Sequence, residues 1–213
     1  MEEGRQVQRR YSGFFLLLCA GLVMAIEEPN YALLQQSGDF ELRVYEPMIV
    51  AETLVSGAMD KASNAGFRLI AGYIFGKNTS KSGDAQKISM TTPVTMEPVT
   101  ERIAMTSPVN IKAAGNQWKV QFVMPSEYTM ESLPTPDNPA VTLREVPQVH
   151  YAVVRFSGLV GEKKQESKTA ELIDWMNEQG LDPVGPPALA RYNPPWTLPF
   201  LRRNEIMIEY RPE

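Results

Sequence analysis

Residues 142–158 read Thr-Leu-Arg-Glu-Val-Pro-Gln-Val-His-Tyr-Ala-Val-Val-Arg-Phe-Ser-Gly. They align without a gap on residues 41–57, Glu-Leu-Arg-Val-Tyr-Glu-Pro-Met-Ile-Val-Ala-Glu-Thr-Leu-Val-Ser-Gly. Leu42, Arg43, Ala51, Ser56 and Gly57 recur as Leu143, Arg144, Ala152, Ser157 and Gly158. The first stretch predicts a strand over 40–55, with a break at Val44-Tyr45-Glu46-Pro47, because proline cannot donate to a ladder. An amphipathic helix is expected next, over 59–75, with Met59, Ala62, Gly66, Leu69, Ile70 and Tyr73 on one face and Gly76 at its end. The second half repeats this order. A helix over 163–179 turns Leu172, Ile173 and Met176 inward and stops at Gly180. Strands over 117–124 and 205–210 complete the two halves, the first with Trp118, Val120 and Phe122 on one side. Each half then reads strand, helix, strands: a tandem β-α-β-β unit. Two such units can bury both helices' apolar faces on sheet around a shared core.

A shorter phrase is also doubled. Residues 88–94 are Ile-Ser-Met-Thr-Thr-Pro-Val and residues 103–109 are Ile-Ala-Met-Thr-Ser-Pro-Val. Thr91, Thr92 and Thr106 can bond local backbone, Pro93 and Pro108 suit strand edges, and Met90 and Met105 suit a core. Residues 77–86 are polar and read as a loop. Residues 125–139 hold Pro125, Pro134, Pro136 and Pro139 and read as an extended connector.

Composition is that of a globular protein: 213 residues, 43% hydrophobic and 22% charged. Cys19 is the only cysteine, so no disulfide can form within the chain. Arg5, Arg9 and Arg10 precede an apolar run from Phe14 to Ile26, which Glu27-Glu28-Pro29 ends. That run is shorter than the roughly 20 residues of a spanning helix. With Val23-Met24-Ala25 at its exit it reads as a signal peptide cut after Ala25, the alternative being an uncleaved membrane anchor. Either way the remainder is expected outside the cytoplasm, periplasmic or secreted: a linker over 26–37 and one domain over 38–213. The formal net charge is −4, and no basic run occurs. That argues against nucleic acid as a partner, since phosphate neutralisation drives such binding. Membrane contact is expected only through the N-terminal segment if it is uncleaved.

Residues 188–209, Ala-Leu-Ala-Arg-Tyr-Asn-Pro-Pro-Trp-Thr-Leu-Pro-Phe-Leu-Arg-Arg-Asn-Glu-Ile-Met-Ile-Glu, carry a second signature. Together with Lys87–Met96, Arg102–Val109 and Val153–Gly158 they closely resemble the SOUL haem-binding protein family, over roughly residues 38–211. The resemblance implies an α+β fold, two β-α-β-β repeats in a distorted antiparallel β-barrel flanked by two helices. That fold is shared with effector-binding domains of bacterial multidrug regulators, so it does not by itself fix a function. The resemblance implies non-covalent binding of haem or another tetrapyrrole in an apolar cleft. Covalent attachment is excluded, because Cys-x-x-Cys-His is absent.

Within that frame, Pro194, Pro195 and Pro199 stiffen the loop 191–200 and hold Tyr192 and Trp196 as flat covers for a flat ligand. The bland alternative is that both rings cap the core. Arg191, Arg202 and Arg203 are candidates for ligand carboxylates such as propionates, or else pair with Glu205 and other local acids. The resemblance places Phe67, Ile70, Ala71 and Ile74 on the helix face that borders the haem cleft. His150, the only histidine, is the one candidate axial ligand, on the side of its strand that carries Ala152, Val154 and Phe156. The residues themselves favour a strand-end histidine in partial contact with solvent, and the family supplies no ligand rule for this position. No catalytic motif is present: no Gly-x-Ser-x-Gly, no His-Glu-x-x-His and no glycine-rich phosphate loop. A non-enzymatic carrier, buffer or sensor is therefore expected. The alternatives are an enzyme acting on a tetrapyrrole or other small ring compound through acids such as Glu205 or Glu209, or an effector-binding module that does not take haem.

Overall fold

Pro47 and Pro147 cut their strands completely, and the two pieces of each go to different neighbours. In the computed structural model, which describes residues 26–99 and 117–212, the chain begins with β1 (Tyr31–Ser37), β2 (Phe40–Tyr45), β3 (Met48–Ser56) and α1 (Met59–Ile74). It continues with β4 (Asn78–Thr79), β5 (Val94–Pro98), β6 (Gln117–Val123) and β7 (Thr135–Pro136). The second half adds β8 (Thr142–Val146), β9 (Val149–Phe156), α2 (Glu162–Glu178), β10 (Ala188–Arg191) and β11 (Asn204–Glu209). The expected leader over 1–25 and the second phrase at 103–109 lie outside the described residues.

Nine strands form one antiparallel sheet in the order β1-β2-β9-β11-β10-β5-β6-β3-β8. β2 pairs with β9 of the other half, and β8 pairs with β3. The sheet curls into a half-barrel with β1 and β8 at its edges, and the fold is α+β as expected. The curl is visible in the packing: Met48 and Val146, near one edge, meet the cluster that holds Tyr45 and Val149.

Both helices cover the same face. α2 sets Leu172, Trp175 and Met176 on Ala152, Val154, Leu189, Ile206 and Ile208. α1 sets Met59, Ala62, Ile70, Tyr73 and Ile74 on Ala51, Val55, Met96, Val120 and Phe122. Leu189 lies directly opposite Met96 in the β10–β5 pair, and directly opposed residues share a face. The helix bounds agree with the 3.6-residue period, and Gly76 and Gly180 follow them at φ 112° and 71°. Gly66 sets the closeness of α1 to β6, because a Cβ there would stand 2.6 Å from Val120 Cγ2. Gly66→Val should therefore lift the helix and cost about 1–3 kcal/mol, read as a lower urea midpoint.

Two expectations need correction. Residues 31–37 are not linker but the edge strand β1, paired with β2 from Tyr31↔Tyr45 to Ser37↔Phe40. All seven are exposed, so no apolar alternation marked them. Ile74 also belongs to the inner stripe of α1 and is fully buried.

Candidate functional site

β10 ends at Arg191, and its side chain turns to the helix face. The guanidinium donates to Ser63 Oγ at 3.3 Å and to the Val160 carbonyl at 3.3 Å, and it lies 3.5 Å from Asp60. It thus joins the N-terminal half of α1 to the turn that enters α2. Phe67 stands one helical turn beyond Ser63, partly exposed, with its ring centroid 5.5 Å from that of Phe122. On the other side, Gly158 N–H donates to the Pro199 carbonyl at 2.9 Å, and Asn204 Nδ2 donates to the Gly158 carbonyl at 3.0 Å. These bonds hold loop 192–203 beside Leu159. Arg202 braces the loop from within, donating to the Thr197 carbonyl at 2.8 Å and to that of Pro195. Trp196 is 83% exposed at the outer side of this loop.

The sequence candidates divide between the two faces. Phe67, Arg191 and Trp196 are accessible around the α1 and loop side. Ile70 and Ile74 are fully buried in the α1 core and cannot line an open cleft. Tyr192 follows Arg191 by one residue and so points to the opposite face. There it is buried, and its hydroxyl donates to Glu205 Oε2 at 2.7 Å. Arg203 lies over the Tyr192 ring at 3.7 Å and pairs with Glu205 at 2.9 Å and Glu28 at 3.0 Å. Arg202 and Arg203 are therefore engaged by the protein itself.

That opposite face joins Tyr192, Arg203 and Glu205, which the sequence offered as candidates, to a buried residue that sequence reasoning missed, Arg43. Arg43 and Glu205 are fully buried and joined by two hydrogen bonds, at 2.9 and 3.1 Å. Arg43 also donates to Glu41 at 2.6 Å and to the Tyr45 hydroxyl at 2.9 Å. Arg155 reaches Glu41 at 3.1 Å, and the Tyr31 ring of β1 covers the Arg43 guanidinium at 4.4 Å. The hint for Arg43 was the alternation Glu41, Arg43, Tyr45, which reads as a solvated strand face. Burial works to raise the Glu205 pKa, but hydrogen bonds and charge from Arg43, then Tyr192 and Arg203, outweigh it and hold the carboxyl below its usual 4.5. Tyr45 is pushed up to about 12, by burial against the opposing effect of Arg43. A carboxylate occupied by three donor side chains is a structural anion, and it is ill suited to the acid–base role considered for it.

The sign of the pH effect follows from that depressed value. Glu205 stabilises the fold at pH above its unfolded value, and the contribution is lost as pH falls through the native one. Thermal denaturation should show stability falling away below pH 4.5, and Glu205→Gln should flatten that limb while lowering stability at neutral pH.

His150 lies on β9 opposite Val44, its ring 5.6 Å from that of Tyr210. It is six residues, or about 20 Å of strand, from Phe156 at the Arg191 end, so it is not part of the surface around Phe67. Among the described residues no group of His, Cys, Asp and Glu is arranged to hold a metal ion, and no helix is long and apolar enough to cross a membrane. A separate groove of about 830 Å³ lies between residues 27–30, Met48, Met124 and Met130. Glu27, Glu28, Glu46 and Glu145 line it, which sets its charge against any ligand carboxylate.

The described residues thus form an α+β half-barrel with two helices on one face and an aromatic, arginine-bearing surface beside them. The SOUL heme-binding protein family matches residues 26–209, and the chain belongs to that family. A comparison with curated protein sequences returned no match. Among solved structures, the C-terminal domain of EcmrR is similar at TM-score 0.57 and 10% identity, covering 86% of this chain and 99% of that one. A hydrolase from Listeria innocua is similar at TM-score 0.54 and 12% identity, covering 84% and 94%. An uncharacterized conserved protein from Listeria innocua follows at TM-score 0.56 and 13% identity, covering 81% and 92%. At these identities the likeness is one of fold.

Proposed function

We propose that this protein binds haem or a related tetrapyrrole without catalysis, as a carrier, buffer or sensor acting outside the cytoplasm. Family membership suggests haem. The observation that carries the reading is Arg191, a half-buried cation set between the exposed side of Phe67 and the Leu159 turn. Its partners there are a hydroxyl, a carbonyl and the exposed Asp60 at 3.3 to 3.5 Å. These are longer than the bonds of Arg43, so the guanidinium can exchange them for a propionate. Arg191 would hold a porphyrin carboxylate and Phe67 would meet the ring, and among the described residues no histidine stands beside them. The site so drawn is Phe67, Leu159 and Arg191, with Trp196 at its border. Ile70, Ile74, Tyr192 and Arg203 act behind it as structure. Export rests on the basic head and short apolar run before Glu27, and mass spectrometry of the native N-terminus tests it.

Hemin titration of the purified chain, followed at the Soret band, is the decisive measurement. A saturable shift at micromolar protein is expected. Arg191→Ala should weaken binding about tenfold, the effect of one charge-assisted hydrogen bond. His150→Ala should leave the bound spectrum where it was. Absence of a saturable shift removes the haem reading. A spectral change in His150→Ala would move the site to the other end of β9.

A further inference from the structure

We infer that loop 196–201 is a membrane-docking element that enters the interface of a lipid bilayer beside the N-terminal apolar segment. This goes beyond haem binding and does not depend on it.

The loop reads Trp-Thr-Leu-Pro-Phe-Leu, and Trp196, Leu198, Phe200 and Leu201 are each more than half exposed. Leu159, held against the loop through Gly158, is also exposed. So many large apolar side chains gathered at one place mark a surface made for apolar contact. The exposure is built in. Pro194, Pro195 and Pro199 fix the backbone, residues 199–201 form a short 3-10 turn, and Arg202 ties the Thr197 and Pro195 carbonyls from the protein side. The loop is also closed by Thr197 N–H to the Pro194 carbonyl at 3.0 Å and by Arg203 N–H to Asn193 Oδ1 at 2.6 Å. A braced loop presents its side chains outward without first having to order itself.

The course of the N-terminal chain identifies the occupant. Left uncut as a membrane anchor, the apolar run 14–26 leads directly into Glu27 and Glu28. Glu28 pairs with Arg203 at 3.0 Å, and the Glu27 carbonyl accepts from Thr92 N–H at 2.9 Å. Thr92 lies two residues before Val94, which is opposite Arg191 at the start of the loop. Ile26, itself exposed, is therefore delivered to the same end of the sheet as Trp196 and Phe200. Two apolar elements far apart in sequence reach one end of the fold. A bilayer that holds the first would meet the second. Tryptophan at the outer side, with leucine and phenylalanine beside it, suits the depth where headgroups give way to acyl chains. Glu27 and Glu28 at that end argue against a requirement for anionic lipid, so neutral phosphatidylcholine is the right surface.

The test uses the full chain reconstituted without hemin into phosphatidylcholine vesicles, and into the same lipid carrying bromine high on the acyl chain. Of the three tryptophans, Trp175 is buried and Trp118 half-buried, which leaves Trp196 as the one a lipid can reach. Bromolipid should quench the tryptophan emission of the wild type, and that quenching should be lost in Trp196→Phe. Phe200→Asp, a change at an exposed position, should also remove it and shift the Trp196 emission to the red. Equal quenching in the wild type and Trp196→Phe overturns the inference. So does reconstitution without quenching, or a blue shift that bromine does not touch, which would indicate contact between two copies of the chain. The haem reading has its own readout in the Soret titration, so either idea can fail alone.

Discussion

Arg43→Met is expected to destabilise the protein by about 3–5 kcal/mol, the cost of leaving a buried charge without its partner. The arginine is completely buried and supplies hydrogen bonds to Glu41, Tyr45 and both oxygens of Glu205. Its loss leaves Glu205, also fully buried, with Tyr192, Arg203 and the more distant Arg155 at 3.7 Å as donors. It also removes the cation beneath Tyr31, so β1 should loosen. Urea unfolding measures the first effect, and amide exchange across residues 31–37 measures the second. The double change Arg43→Met with Glu205→Met should recover much of the loss, since neither site then holds an orphaned charge. A midpoint for Arg43→Met within the scatter of the wild type would show that the pair is solvated and that its burial means little.

Ile74→Asp should be worse, at about 4–5 kcal/mol or more, while Phe67→Asp should leave a folded protein that no longer holds hemin. Both positions lie on α1, and the family resemblance put both at the ligand. Ile74 packs fully buried among Tyr73, Ile88 and Leu133, where a carboxylate finds neither water nor a cation. Phe67 is 38% exposed, so an aspartate there keeps its hydration and mainly deletes ring area from the surface beside Arg191. Circular dichroism melts and hemin titrations of both variants separate fold from binding. If Phe67→Asp binds hemin like the wild type, the ligand lies elsewhere, and the Met48–Met130 groove becomes the next place to look.

The legible parts of the chain were those governed by periodicity. α1 and α2 fall within one residue of their expected bounds, and Trp118, Val120 and Phe122 do point together toward α1. Gly76 and Gly180 marked the helix ends because positive φ favours glycine. β1 was invisible because an edge strand held by backbone pairing needs no apolar face. β10 is only four residues long, too short for alternation to speak. The face assignments failed in a more instructive way. Arg43 and Arg144 occupy matching positions in the two aligned stretches, yet Arg43 is fully buried and Arg144 is 44% exposed beside Glu52. What differs is what lies over them: Tyr31 of β1 covers Arg43. Spacing within a strand tells which side chains share a face, and only the rest of the fold tells whether that face is wet.

The exchange of β2 and β8 between the two halves bears on how the chain is made. From the moment β2 emerges it has β1 on one flank, but its other edge waits until Val149–Phe156 has been synthesised. Neither half can complete its own ladder, so early folding cannot proceed as an independent module, and bare strand edges persist. Such a nascent polypeptide stays loose for longer. That is an advantage if it must be threaded through a narrow translocation channel, and a liability if it lingers at high concentration beforehand.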